Sequence, residues 1–189
     1  MANYTQKAIL QTFEAMLAEM PFDKITVSAL VARCEISSNT FYYHYHDIYD
    51  LLDQWLENKK TIFLQDMDAH DDFPIRLKTI LHRMQDNPSV VYHIFGSVSR
   101  ERLERYIFIS AENSFFHYIK QSAEGKDISD DALRDISGFC CYSILGFVIK
   151  FIWMRMDVDA DAAVDRLTDT FGGMLDYLID NANGAAPQR

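Results

Sequence analysis

Glycine, proline and cysteine are scarce in this sequence, and each shortage argues against a class of protein. The 189 residues include only 7 glycines and 4 prolines, too few for the many tight turns of an all-β fold, so long helices are expected. Three cysteines, two of them adjacent, do not form the disulfide framework of a small secreted domain. Because the first seven residues are polar and no apolar run follows them, we expect no secretory signal and a cytoplasmic protein.

Basic residues are also in deficit. The chain has 18 Lys and Arg against 28 Asp and Glu, which gives a net charge of −10. A protein that holds nucleic acid by bulk attraction needs many basic side chains against the phosphates, so the composition argues against that mode. Residues 37–46, however, contain no acidic residue at all. Any contact with DNA must therefore be local.

The apolar periodicity predicts an all-α protein of about nine helices. A first helix over about 5–20 ends before Pro21, and Thr26 is a suitable N-cap for a short second helix. Ser37 is a second cap, where Ile36 and Phe41 occupy the positions of a hydrophobic staple. Two short helices separated by about three residues are typical of a helix-turn-helix.

Four segments follow from this pattern. Residues 1–46 are predicted to form the helix-turn-helix domain, and Asp47 caps a long connecting helix over 47–66. An acidic stretch at 66–72 interrupts the pattern before a helical domain over 67–182. Residues 183–189 are predicted to be a disordered tail.

A late segment is apolar on almost every side. Ser129 caps it, and from 136 to 154 it is long enough that a membrane span must be weighed. Lys150 lies inside the run and nothing else in the chain resembles a membrane protein, so a helix buried between its own domain and a partner is favoured. With the helix over 160–180, it is predicted to form a four-helix dimer interface that includes Phe147 and Phe171.

Residues 26–52 read TVSALVARCEISSNTFYYHYHDIYDLL. The Thr-capped helix, the turn, the Ser-x-x-Thr-aromatic-Tyr-x-His-aromatic run and the capped Leu-Leu helix resemble the signature of the TetR family of transcriptional regulators. The variant is similar to the Firmicutes-type branch of that family. The resemblance implies a three-helix DNA-binding domain, a C-terminal domain for effector binding and dimerisation, and a double-stranded DNA operator as partner.

Two residues depart from the family pattern. Glu35 stands where the family usually has Gly in the turn, so the turn must tolerate a side chain. Ile48 replaces a Lys that binds phosphate in many members, which removes one charged DNA contact. His46, Lys7 and Lys24 could substitute for it in part.

The predicted DNA contacts divide into two kinds. A recognition helix reads base edges in the major groove through side chains near its N-terminus, while surrounding hydroxyls and amides position it on the phosphates. The predicted base contacts are Ser38, Asn39 and Tyr43, with Ser28 reaching a base from the preceding helix. By resemblance, the backbone contacts are Thr26, Thr40, Tyr42 and His44, while Phe41 and Tyr45 belong to the core.

Other interpretations of these residues stay open. The aromatic run could be a packed helix surface, and His44 with His46 could bind a metal, although no Cys or carboxylate cluster has zinc-finger spacing. Cys140-Cys141 is read as a buried pair of small hydrophobes against the alternative of a redox switch. No metal, cofactor or catalytic residue is predicted.

An unknown small molecule is the expected effector. Aromatic residues of the C-terminal domain are candidates to line its site, although core packing explains most of them: Phe108, Phe115, Tyr118 and Tyr142. The leading hypothesis is a homodimeric repressor that this effector releases from DNA. The alternative is a coactivator of the same fold that acts through a protein partner. An α-helical enzyme is disfavoured, because no Glu-x-x-His motif, nucleophile elbow or phosphate loop is present.

Overall fold

The computed structural model describes residues 2–65 and 73–183, and within them it confirms the all-α prediction. These residues form nine α-helices and one 3-10 turn, Phe22–Lys24, with no strand. The acidic stretch 66–72 and, apart from Asn183, the predicted tail lie outside the described residues. In chain order the helices are α1 (Ala2–Glu19), α2 (Val27–Arg33), α3 (Ser38–His44), α4 (Ile48–Gln65), α5 (Phe73–Asp86), α6 (Pro88–Phe95), α7 (Arg100–Ser122), α8 (Asp130–Trp153) and α9 (Ala160–Ala182).

The helices divide between two compact units. The N-terminal unit comprises α1 to α4 together with residues 86–99, and the C-terminal unit comprises α5 up to residue 85 together with α7 to α9. The sequence had assigned 86–99 to the C-terminal domain. The contacts of α6 account for the difference, because His93 Nδ1 lies 2.7 Å from the carbonyl oxygen of Leu17 in α1 and Ile94 is buried.

The N-terminal unit is built on local caps around an aromatic core. Thr26 Oγ1 accepts a hydrogen bond from the Ala29 amide at 3.2 Å, and Ser37 Oγ accepts one from the Thr40 amide at 3.1 Å. Asp47 Oδ1 accepts hydrogen bonds from the backbone amides of Tyr49 and Asp50, each at 2.8 Å. All three predicted caps are confirmed. Beneath them the rings of Phe13, Phe22 and Trp55 meet edge to face.

The C-terminal unit is organised around α8. Ser129 Oγ accepts the amide of Ala132 at 3.3 Å, which confirms the predicted cap. Polar contacts join α5 to α9 and to the loop before it: Lys78 Nζ lies 2.5 Å from Asp165, His82 Nε2 lies 2.9 Å from Asp161, and Gln85 Nε2 donates to the carbonyl oxygens of Met156 and Val158.

Among the described helices, α8 alone is long and apolar enough to cross a membrane by length and composition. Nine of its residues are buried inside the unit, which is what the core helix of a folded domain shows. One face nevertheless stays open. Phe139, Tyr142 and Trp153 are 51%, 65% and 69% exposed.

Candidate functional site

The turn between α2 and α3 sets the position of α3. Glu35 in this turn has φ 56°, in the left-handed region that favours glycine. The Ile36 amide donates to the carbonyl oxygen of Val31 at 3.1 Å, which closes the turn. A non-glycine residue pays about 1–2 kcal/mol for this conformation. The turn therefore accommodates Glu35 at this cost in stability, with its side chain exposed to solvent.

The inner face of α3 fixes the helix to the core. Phe41 and Tyr45 are 0% and 1% exposed, and their ring centroids lie 5.5 Å apart, as predicted. Burial raises the pKa of the Tyr45 phenol above its ordinary value, so it stays neutral at physiological pH. These two rings orient the opposite face of α3 towards solvent.

The outer face of α3 is polar and exposed. Ser38, Asn39, Tyr42 and Tyr43 are all exposed, and Tyr43 keeps 80% of its accessible surface. Thr40 is half-buried, with its hydroxyl 2.8 Å from the Ser37 hydroxyl. This face presents an amide, a hydroxyl and two phenols without a carboxylate, which are groups that bond to base edges and phosphates.

The other predicted DNA contacts flank this face in sequence. Thr26 and Ser28 are exposed at the start of α2. His44 is half-buried, and its ring meets that of Tyr43 edge to face at 5.1 Å. His46 is exposed just beyond α3.

Positive charge near α3 is limited. Arg33 makes a two-pronged ion pair with Glu19, and this hydrogen bond lowers the pKa of the Glu19 carboxyl. Lys24, a predicted substitute for the family's lysine, lies 3.4 Å from Asp23 and stays exposed, and Lys7 is exposed on α1. A DNA contact by this unit would therefore depend mainly on neutral donors and acceptors.

A side-chain network that the sequence analysis missed fixes the end of α3. Asp50 Oδ2 accepts the backbone amide of His46 at 2.9 Å, and Asp50 Oδ1 accepts Gln54 Nε2 at 3.3 Å. Gln54 Oε1 in turn accepts Gln6 Nε2 from α1 at 3.3 Å. The available signal was the Asp47-x-x-Asp50 spacing, which resembles a capping box at the start of α4.

A small cavity of about 40 Å³ lies within the C-terminal unit. Its walls come from the start of α5 and from α7, α8 and α9: Phe73, Pro74, Phe115, Tyr118, Ile119, Cys140, Ile144, Leu167, Thr168, Phe171, Gly172 and Leu175. Two predicted effector residues, Phe115 and Tyr118, are among them. The other two, Phe108 and Tyr142, are not in the lining, and their rings pair with each other at 4.8 Å.

Aromatic rings and neutral groups make up the walls of this cavity. The Phe73 ring lies 4.6 Å from that of Phe115 and 6.0 Å from that of Tyr118. Burial raises the pKa of Cys140 to about 11, so its thiol is protonated at neutral pH. Burial likewise raises the pKa of Cys141 to about 12. Since the thiolate is the reactive form, this pair favours packing over redox chemistry.

Histidine, cysteine and carboxylate side chains do not gather into a possible metal site anywhere in the described part of the chain. His44 and His46 are close in sequence, but no third ligand of these types joins them there. The geometry around α3 therefore offers hydrogen bonds and not metal coordination.

Comparison with known proteins gives both a family match and fold neighbours. Residues 71–173 match a TetR-type family model described as "Transcriptional regulator C-terminal region". No curated protein matches the chain significantly.

Three solved structures share its fold. The protein titled "Dihydroxyacetone kinase operon activator DhaS" is 19% identical with a TM-score of 0.64, over 95% of this chain and 98% of that one. A transcriptional regulator of the TerR/AcrR family from Aquifex aeolicus VF5 is 17% identical with a TM-score of 0.58, over 90% and 99%. A TetR-family regulator from Pectobacterium atrosepticum is 18% identical with a TM-score of 0.52, over 97% and 96%.

Proposed function

Because the chain belongs to the TetR family of transcriptional regulators, we propose that it binds a palindromic DNA operator as a cytoplasmic homodimer and that a small-molecule effector releases it. The repressor role is the one predicted from the family resemblance. The observation that carries the DNA-binding proposal is the outer face of α3, which is exposed, polar and free of carboxylates.

The roles of the individual side chains follow from their chemistry. The amide of Asn39 can bond an adenine in a bidentate way, while the Ser38 hydroxyl and the Tyr43 ring contact neighbouring base edges. Ser28 adds a base contact from α2. The groups that bind phosphate oxygens are Thr26, Thr40, Tyr42, His44 and His46. Thr26 suits this role because its oxygen accepts the cap hydrogen bond and its proton can still be donated to a phosphate.

Dimerisation is supported by the open face of α8. Phe139, Tyr142, Gly146 and Trp153 lie on one side of the helix by their spacing, and all four are exposed. An apolar stripe of this length is unusual on a soluble monomer. Pairing with a second copy would cover it and would give the two recognition helices the symmetry of a palindrome, with half-sites about 34–36 Å apart.

The selection of bound sequences from random duplex DNA tests this proposal directly. The purified full chain should enrich a palindrome, and the triple variant Ser38→Ala, Asn39→Ala, Tyr43→Ala should not. All three residues are exposed, so the variant keeps the packing of Phe41 and Tyr45 and should fold. Failure of the wild type to enrich any sequence would contradict the proposal.

A coactivator that works through a protein partner is the second candidate. Ile48 lacks the charge that would bind phosphate at the start of α4, and the chain carries a net charge of −10. One structural neighbour is titled an operon activator, although at 19% identity it supports only the fold. In the selection experiment this candidate predicts no enriched sequence from the chain alone.

A further inference from the structure

The cavity of the C-terminal unit has walls that restrict the charge of any guest. Among the described residues that line it there is no Asp, Glu, Lys, Arg or His. Moving a charged group into such a site without a partner costs several kcal/mol. The part of a guest that lies inside this cavity must therefore be uncharged.

The shape of the walls favours a flat ring. Phe73, Phe115 and Tyr118 cluster on one side, with ring centroids 4.6 and 6.0 Å from Phe73. Aromatic rings gain from offset or edge-to-face contact in addition to the area they bury. From α9 the lining adds the aliphatic side chains of Leu167 and Leu175 and a further ring, that of Phe171.

The hydroxyl of Thr168, which lines the cavity, can only accept a hydrogen bond from a guest. Thr168 Oγ1 donates its proton to the carbonyl oxygen of Val164 at 2.9 Å. A further hydrogen bond between this oxygen and a guest must be donated by the guest. A guest with one hydroxyl donor fits this arrangement better than one that only accepts.

Among the residues that line the cavity, Gly172 is the exposed one. The cavity volume of about 40 Å³ is smaller than the ~150 Å³ cavity that holds a benzene ring. Gly172 both lines the cavity and is exposed to solvent, and a Cβ at this position would meet no atom within 4 Å. A ring seated here would therefore extend past the lining, and we infer that it does so beside Gly172, which has no side chain and is taken as the mouth of the cavity.

We propose that the cavity bounded by Phe73, Phe115, Tyr118, Thr168 and Gly172 binds small uncharged aromatic alcohols of the phenol class, and that these are the effectors of the regulator. The effector role rests on the proposed function, whereas the binding does not. Leu167, Thr168 and Phe171 belong to the cavity side of α9, and Tyr177 is 68% exposed on its other side. A guest that moves α9 thus changes a helix next to the proposed dimer face.

Calorimetric titration of the full chain with three probes tests the ligand class. Phenol and toluene should bind, and benzoate should bind much more weakly, because its carboxylate finds no charged partner in the lining. In Thr168→Val the ratio of phenol affinity to toluene affinity should fall by up to about tenfold, the value of one hydrogen bond. Thr170→Val is the matched control, because Thr170 makes the same bond to a carbonyl oxygen four residues back but is exposed and outside the lining.

A second pair of variants tests the mouth. Gly172→Leu should abolish phenol binding, while Gly173→Leu should leave it unchanged, because Gly173 is equally open but does not line the cavity. Thermal melts establish that both variants fold. Benzoate binding as tight as phenol, no binding of phenol or toluene, an unchanged ratio in Thr168→Val, or phenol binding retained in Gly172→Leu would each overturn the proposal.

Measuring how phenol affects binding to the selected operator distinguishes a failure of the proposed ligand class from a failure of the proposed function. Phenol should lower the fraction of wild-type protein bound to the palindrome and should not do so for Gly172→Leu. Palindrome binding without phenol binding would overturn the ligand class and leave the DNA-binding proposal standing. Phenol binding without an enriched palindrome would keep the cavity assignment but overturn the effector role.

Discussion

The two units of the molecule are built in different ways. In the N-terminal unit, short helices begin at side-chain caps such as Thr26 and Ser37, and each helix has one buried and one exposed face. In the C-terminal unit, long helices pack around α8, and a cavity lies among them. The first arrangement anchors the exposed side chains of α3 on a packed core, and the second leaves unfilled space among its helices. The proposed DNA contact uses the anchored side chains of the first unit, and the proposed effector would use the space in the second.

The largest expected effect on stability concerns the anchoring of α3 in the N-terminal unit. Phe41→Ala removes a ring that is 0% exposed and should lower the free energy of unfolding by about 3–5 kcal/mol. Tyr42→Ala, at the next position but 57% exposed, should lower it by about 0.5 kcal/mol or less. Urea denaturation followed by circular dichroism measures both. Equal losses for the two variants would show that α3 is not anchored by its inner face.

The next effect concerns the open face of α8. Phe139→Asp should separate the dimer and weaken operator binding about 100-fold or more, because it buries an unpaired charge between the two copies. Ile75→Asp is the control, since Ile75 is a 49% exposed apolar residue on α5 and not on this face. Light scattering should give twice 21.9 kDa for the wild type and the control, and 21.9 kDa for Phe139→Asp. A wild-type mass of one chain, with operator binding retained, would refute the interface.

A smaller gain in stability is expected when a residue with positive φ is replaced by Gly, and it should be equal in both units. Glu35 in the turn before α3 and Arg155 after α8 have φ values of 56° and 60°. Replacing either with Gly removes the strain of the left-handed conformation but adds freedom to the unfolded chain, so a net gain of about 0.5–1 kcal/mol in unfolding free energy is expected. Glu35→Ala and Arg155→Ala keep the strain and should show no gain. Denaturant melts in which the Ala variants are as stable as the Gly variants would contradict this explanation.

Sequence alone predicted what depends on local chemistry. The caps at Thr26, Ser37, Asp47 and Ser129 were predicted because each requires only a polar side chain beside its own helix. The inward positions of Phe41 and Tyr45 followed from helical spacing. The departure at Glu35 was visible in sequence too, although only the structure gives its φ.

Contacts between distant segments were not predictable in this way. His93 bonds to the Leu17 carbonyl oxygen, 76 positions away, so no local signal placed α6 with the N-terminal unit. The cavity is assembled from four helices, and although Phe115 and Tyr118 were predicted, Thr168 was not. Phe171 lines the cavity, and its predicted place in the dimer interface stays a prediction. Helical spacing identifies an apolar face but not which neighbour covers it.

The central claim is that the exposed face of α3 reads DNA, and a comparison of selected sequences for the wild type, Asn39→Ala and His44→Ala tests it most directly. Each lost base contact is worth about 1–3 kcal/mol of discrimination. Asn39→Ala should therefore relax the preference at one symmetric position of each half-site, while His44→Ala should weaken binding to every sequence and leave the preference unchanged. Equal losses on cognate and scrambled duplexes for both variants, or a wild type without sequence preference, would contradict the claim.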